Sequence, residues 1–172
     1  MNAKLKIAIC VLIFPLLGLW FYTAQLGTRS TTFAGPAFHA HDASDNATVY
    51  SDLTRYLGTL GFHASTSPSE FDSWAGAHSE GSKRIWYARE DGRNHKTHIY
   101  IDLDEQTVRT SVKWEVYGSH SKAESAKREA YALALDLDSW FEGLPKPNSL
   151  PTRFREAKRQ DYKDRLANNE ES

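Results

Sequence analysis

Residues 7–24, IAICVLIFPLLGLWFYTA, run for eighteen positions without a charged side chain. Coiled as a helix, this run is about 27 Å long at 1.5 Å per residue, close to the hydrocarbon thickness of a bilayer. Lys4 and Lys6 precede it and Arg29 is the first charge after it. That bias keeps the N-terminus in the cytoplasm and sends the rest of the chain across the membrane. Trp20, Phe21 and Tyr22 fall where an interfacial aromatic belt is expected, and a membrane helix tolerates Pro15 when the freed carbonyl finds a partner. A cleaved signal peptide needs small residues at the first and third positions before the cut. Cutting after Ala24 puts bulky Tyr22 at the third, and the better-suited Thr32 and Ala34 lie past the apolar run. The expectation is an uncleaved signal anchor over 1–24, single-pass in a bacterial cytoplasmic membrane, with the body outside or periplasmic. Flanking charges and position argue against a buried core helix.

Charge divides the 172 residues unevenly: +3 over 1–39, −6 over 40–144 and +2 over 145–172. The net charge of −1 argues against an electrostatic grip on nucleic acid. The single cysteine, Cys10, lies inside the apolar run, so it offers no intramolecular disulfide, no C-x-x-C pair and no catalytic thiol in the body. Residues 25–42, rich in Gly, Ser, Thr and Ala with one Pro, read as a flexible linker.

The body, 43–144, reads as one α+β domain. Val49, Leu53, Tyr56, Leu57 and Leu60 recur at helical spacing, with Ser44, Asp45 and Asn46 as candidate caps and Gly61 as a stop. Residues 62–82 are broken by Ser, Pro and Gly; Phe71 and Trp74 are expected to reach back to the core. Three strands follow, at 84–90, 97–103 and 107–117, with Asp91-Gly92 as a hairpin turn. The last alternates over its full length: Val108, Thr110, Val112, Trp114 and Val116 face one way, and Arg109, Ser111, Lys113, Glu115 and Tyr117 the other. Such one-sided patterning suits an antiparallel sheet with one solvated face. Ser121 and Glu124 form a capping-box pattern opening a helix, and Ala126, Ala130, Leu133, Leu137, Trp140 and Leu144 make its apolar stripe. The expected body is a two-layer helix–three-stranded antiparallel sheet–helix sandwich. Residues 145–172 read as a Pro-containing loop and a charged tail, with 152–167 an exposed helix lacking an apolar stripe.

Motifs for chemistry are thin. His39-Ala40-His41-Asp42 could present two imidazoles to one ion, with His63 or His78 as a third ligand, but a linker would not orient them. Asp102-Leu103-Asp104-Glu105 begins like a calcium loop, yet Thr107 stands where Gly is needed and Lys113 where Glu is needed. Ser119-His120-Ser121-Lys122 and Ser44-Asp45-Asn46 match S-x-x-K and S-D-N, but in the wrong order and in too small a body. Asp136 and Asp138 point apart on a helix, and Glu90 and Asp91 belong to a turn. What remains is the open sheet face, with Tyr100, Arg109, Lys113 and Tyr117 projecting and Trp86 or Tyr87 beside them; Tyr and Arg anchor protein interfaces. An ordinary solvated face is the plain reading, with Arg109 or Lys113 paired to Asp102.

The functional expectation is a membrane-anchored, non-catalytic protein-interaction module of the cell envelope, held by residues 7–24. Its partner would be an envelope assembly component or a toxin it neutralises, with no cofactor and no nucleic acid. The alternative is a small metal-dependent hydrolase using His39, His41 and a loop histidine.

Overall fold

The computed structural model describes residues 15–19, 27–40, 42–65, 83–92, 94–104 and 106–168. Their elements run β1 (Thr28–His39), α1 (Ala43–Thr59), β2 (His63–Ser65), β3 (Lys83–Glu90), β4 (His95–Leu103), β5 (Thr107–Tyr117), α2 (His120–Glu142) and α3 (Thr152–Asn168). The fold is mixed α+β. The sheet has five strands in the order β1-β5-β4-β3-β2, and every neighbouring pair is antiparallel.

Two strands therefore join the expected three. The larger correction concerns 25–42, where Thr28–His39 is the edge strand β1 and not a linker. Its register slips between Ala34 and Ala37, so Phe33 faces Val112 and Phe38 faces Val108. A bulge adds one residue to one strand of a pair, which lets two core side chains sit an odd number of residues apart. The carbonyls freed there are each met by a side chain. Tyr162 Oη donates to Ala34 O (2.6 Å), Lys158 Nζ to Gly35 O (3.0 Å), Thr110 Oγ1 to Pro36 O (2.5 Å) and Asn148 Nδ2 to Ala37 O (2.9 Å). An exposed strand edge invites pairing with another chain, and covering it removes that template.

Helix α1 is capped two residues before the first of the expected caps. Asp42 is its N-cap and accepts from Ser44 N at 2.8 Å, which lowers the Asp42 carboxyl below its usual range. It buries Val49, Leu53 and Leu57, each worth about 1.5–3 kcal/mol of removed apolar surface. Gly61, at φ 82°, turns the chain out of the helix in a conformation that glycine adopts without strain. Helix α2 lays Ala123, Ala126, Ala130 and Ala134 against the sheet, with Leu137 and Phe141 farther along. Tyr56 stacks on Trp140 (5.4 Å), joining α1 to α2 in a single layer over one face of the sheet. The expected capping box does not form: Ser119 is the N-cap, without a side-chain cap bond, and Glu124 pairs with Lys127 at 3.0 Å.

The tail carries the expected helix without an apolar stripe, but it is docked and not a free solvated segment. Helix α3 docks beside α2 through Tyr162, which is 2% exposed and packs against Phe33 (5.9 Å) and Tyr131 (6.3 Å). Among the described residues no helix is long and apolar enough to cross a membrane. Residues 15–19 are helical with Leu16, Leu17 and Leu19 exposed; the rest of 7–24 lies outside the described residues, so the expected membrane helix has no structural support. Residues 66–82, with Phe71, Trp74 and His78, lie outside them too.

Candidate functional site

The residues on the sheet face away from α1 and α2 are set by strand register. Trp86 lies opposite Tyr100, Tyr100 opposite Ser111, His98 opposite Lys113 and Asp102 opposite Arg109. The alternation read from the sequence thus places Tyr100, Arg109, Lys113 and Tyr117 on one face, but the structure splits the set by exposure. Tyr100 is 8% exposed and Lys113 2% exposed, whereas Tyr117 is 47% exposed and Arg109 is also open. The expectation that all four project into solvent is therefore corrected for Tyr100 and Lys113. Periodicity assigns a side chain to a face; it does not say whether that face is covered.

The buried half of this face is a polar and aromatic network. Arg84 holds Asp102 through two parallel bonds, Nε to Oδ1 (2.6 Å) and Nη2 to Oδ2 (2.8 Å). Its guanidinium also lies 4.5 Å from the centre of the Tyr100 ring, which packs against Trp86 at 4.8 Å. Lys113 Nζ bonds Glu115 Oε2 at 3.2 Å, and His98 Nε2 is 3.8 Å from the same oxygen. Burial, reinforced by the Lys113 ammonium, lowers the His98 pKa below its ordinary 6.5 despite Glu115. Because Asp102 is committed to Arg84, Arg109 turns to Asp104 instead, at 3.7 Å. Asp104 Oδ1 accepts from the amides of Gln106 (2.9 Å) and Thr107 (2.6 Å), closing the β4–β5 turn.

The open half lies along β1 and β5. Thr28, Ser30, Thr32 and Ala34 are exposed there, with Arg109 and Tyr117 on the neighbouring strand. Eight residues separate those two, a span of about 27 Å at 3.4 Å per residue. Between them on this face of β5, Ser111 and Lys113 are buried, so Tyr117 is continuous with the exposed β1 row while Arg109 stands at the other end of the strand.

His39 is a β1 residue held in place: its amide donates to Asn148 Oδ1 (3.1 Å) and its Nδ1 is 2.6 Å from Ser149 Oγ. His41 is outside the described residues, and His63 is an exposed residue of β2. Among the described residues, His39 and His63 are not part of any cluster of three ligand-type side chains. A different trio converges: Asp91, His95 and Glu129 each place one ligand-type atom within 4.8 Å of the others. Asp91 is already taken by the Arg89 guanidinium and by Thr97 Oγ1 (2.8 Å), so a cation there would compete with Arg89. Nothing in the sequence marks this trio, because a turn, a strand and a distant helix meet only through the fold. A mainly apolar groove of about 500 Å³ also runs between β1 and α3, lined by Pro36, Ala37, Leu150, Phe154, Ala157 and Lys158 among others. The acids at its rim already face arginines, Asp138 with Arg159 and Asp161 with Arg165.

No family model matches the chain, and no curated protein and no solved structure matches it.

Proposed function

We propose that this chain is a membrane-anchored, non-catalytic protein-interaction module of the bacterial cell envelope. In this reading residues 7–24 are an uncleaved anchor, the N-terminus stays in the cytoplasm, and the α+β body lies on the outer side. The partner is an envelope protein, an assembly component or a toxin that the body neutralises. The anchor rests on the eighteen uncharged residues behind Lys4 and Lys6.

The observation that carries the binding reading is the exposure of Arg109 and Tyr117 on the sheet face away from α1 and α2, with Tyr117 beside the hydroxyl-bearing row of β1 and Arg109 opposite Ala37 beyond the bulge. Arginine and tyrosine supply much of the energy of protein interfaces when a partner desolvates them, and Thr and Ser beside them offer hydrogen bonds. The buried half lies beside this surface: the Arg84–Asp102 pair ties β3 to β4, and the Lys113–Glu115 pair lies within β5.

Purification of the C-terminally tagged chain in mild detergent, with mass spectrometry of what accompanies it, tests the proposal. A specific protein retained by the parent chain and by Arg55→Glu on the far side of the body, but lost on Arg109→Glu, is the expected result. A chain that emerges alone, or a companion indifferent to Arg109→Glu, counts against it.

A further inference from the structure

Strand β1 begins at Thr28, only four Cα steps beyond the apolar run that ends at Ala24. Those steps reach at most about 14 Å, so the start of β1 cannot stand far from wherever residue 24 is held. The register shows what shares that end of the sheet. Thr28 lies opposite Tyr117, Val116 opposite His95, and Lys96 opposite Glu90. The opposite end holds His39, Thr107 and Leu103, and β5 spans about 34 Å between the two.

We infer that the body stands end-on to the bilayer, with the Tyr117 end of the sheet against the lipid headgroups and the Arg109 end directed away from the membrane. This rests on the anchor reading above and refines it, since it assigns Tyr117 to the lipid interface and leaves Arg109 to face a partner. Two further observations support the lipid surface as the occupant of this end. Tyr117 is a half-exposed aromatic, the kind of side chain that settles at the membrane–water boundary. Of the charges around it, Lys96 is paired with Glu90 at 3.1 Å, whereas Arg29 donates to His120 Nδ1 at 3.0 Å, a bond that leaves its positive charge in place for lipid phosphate. The short tether sets the orientation, and the Arg29 cation at this end suits phosphate-bearing headgroups.

The test uses the full chain carrying Cys10→Ala, so that single labels can be placed at Tyr117→Cys, Lys96→Cys and Arg109→Cys. All three positions are exposed, and matched melting curves check that each variant folds. Labelled protein is reconstituted in phosphatidylcholine vesicles containing a lipid with a nitroxide on its headgroup. The labels at 117 and 96 should be quenched at least about twofold more strongly than the label at 109, given the ~27 Å of strand between 117 and 109. Replacing part of the phosphatidylcholine with phosphatidylglycerol should not lower that ratio. Equal quenching at all three positions, or stronger quenching at 109, in protein that resists carbonate extraction would overturn the orientation and leave the anchor standing. Release by carbonate would remove the anchor, and the orientation with it.

Discussion

Tyr162 in α3 donates its phenolic hydrogen to the carbonyl of Ala34 in β1, 128 residues away, at 2.6 Å. One side chain thus joins the last helix to the first strand and caps the carbonyl at which the β1 bulge begins. Burial, together with the nearby Asp138 and Asp161 carboxylates, raises the Tyr162 hydroxyl well above its ordinary pKa, so it stays a donor at every physiological pH. The helix around it is strongly polar, and among its described residues only Tyr162 is buried. Docking of α3 therefore depends on this ring, on Arg159 pairing with Asp138, and on Lys158 reaching Gly35.

Tyr162→Phe should lower stability by about 0.5–1.5 kcal/mol, the usual net worth of one hydrogen bond, because the ring still packs against Phe33 and Tyr131. Tyr162→Ala should cost about 3–5 kcal/mol and free the helix. Urea denaturation gives the two values, and hydrogen exchange gives the location. Amides of α3 should lose protection in the alanine variant before those of β4 and β5 do. Equal costs for the two variants would show that the ring contributes nothing beyond its hydroxyl.

Gly35 sits in the bulge with no room for a side chain. A Cβ built there would lie 2.6 Å from Thr110 Oγ1 and 3.2 Å from Thr110 O. The Thr110 hydroxyl is itself committed to Pro36 O, so it cannot turn away without leaving that carbonyl bare. Gly35→Ala should therefore destabilise by about 1–3 kcal/mol, the range for forcing extra volume into a packed site. Thr110→Ser, which keeps the hydroxyl, should be milder. Thermal melts of both variants check the order.

Much of this architecture is legible in the chain because β5 carries five apolar or buried side chains at even numbers and mainly polar ones at odd numbers. The β1 strand is not legible, for two physical reasons. It lies at the sheet edge, where Thr28, Ser30 and Thr32 face solvent and look like linker residues. Its two core aromatics, Phe33 and Phe38, are an odd number of residues apart because the bulge intervenes, which breaks the alternation that marks a strand. For α3 the difficulty is different, since one buried aromatic and several contacts from Arg155, Lys158, Arg159 and Arg165 dock it without any stripe. At the candidate site, alternation groups Tyr100, Arg109, Lys113 and Tyr117 correctly by face. The burial of Tyr100 and Lys113 arises from tertiary structure that no local pattern encodes.

His98 gives the fold a dependence on acid. Its pKa is lowered in the folded protein, chiefly by burial and then by Lys113, with Lys96 acting in the same direction and Glu115 against it. Below about pH 6.5 the unfolded chain binds a proton on this ring that the folded chain resists, so the unfolded state gains. The contribution is fully present above the unfolded value and is lost as pH falls from there to the folded one. Melting temperatures should drop between pH 7.5 and pH 5, and His98→Gln should flatten part of that slope. An unchanged slope would show that His98 takes its proton as readily folded as unfolded.

Tyr100 and Arg109 share a face and differ in burial, and this makes their alanine variants separate stability from binding. Tyr100 is packed between the Arg84 guanidinium and the Trp86 ring, so Tyr100→Ala should lose about 3–5 kcal/mol, as truncating a buried aromatic does. It also leaves Arg84 and Asp102 without the ring that shields them, and loss of a partner in this variant would report unfolding. Arg109 has an exposed side chain and a single loose ion pair with Asp104, so Arg109→Ala should change stability by no more than about 0.5 kcal/mol. Chemical denaturation of both variants, run beside the co-purification assay, assigns each effect. If Arg109→Ala lowered stability as much as Tyr100→Ala, the open half of the sheet face would be part of the core, and the interface would have to lie elsewhere.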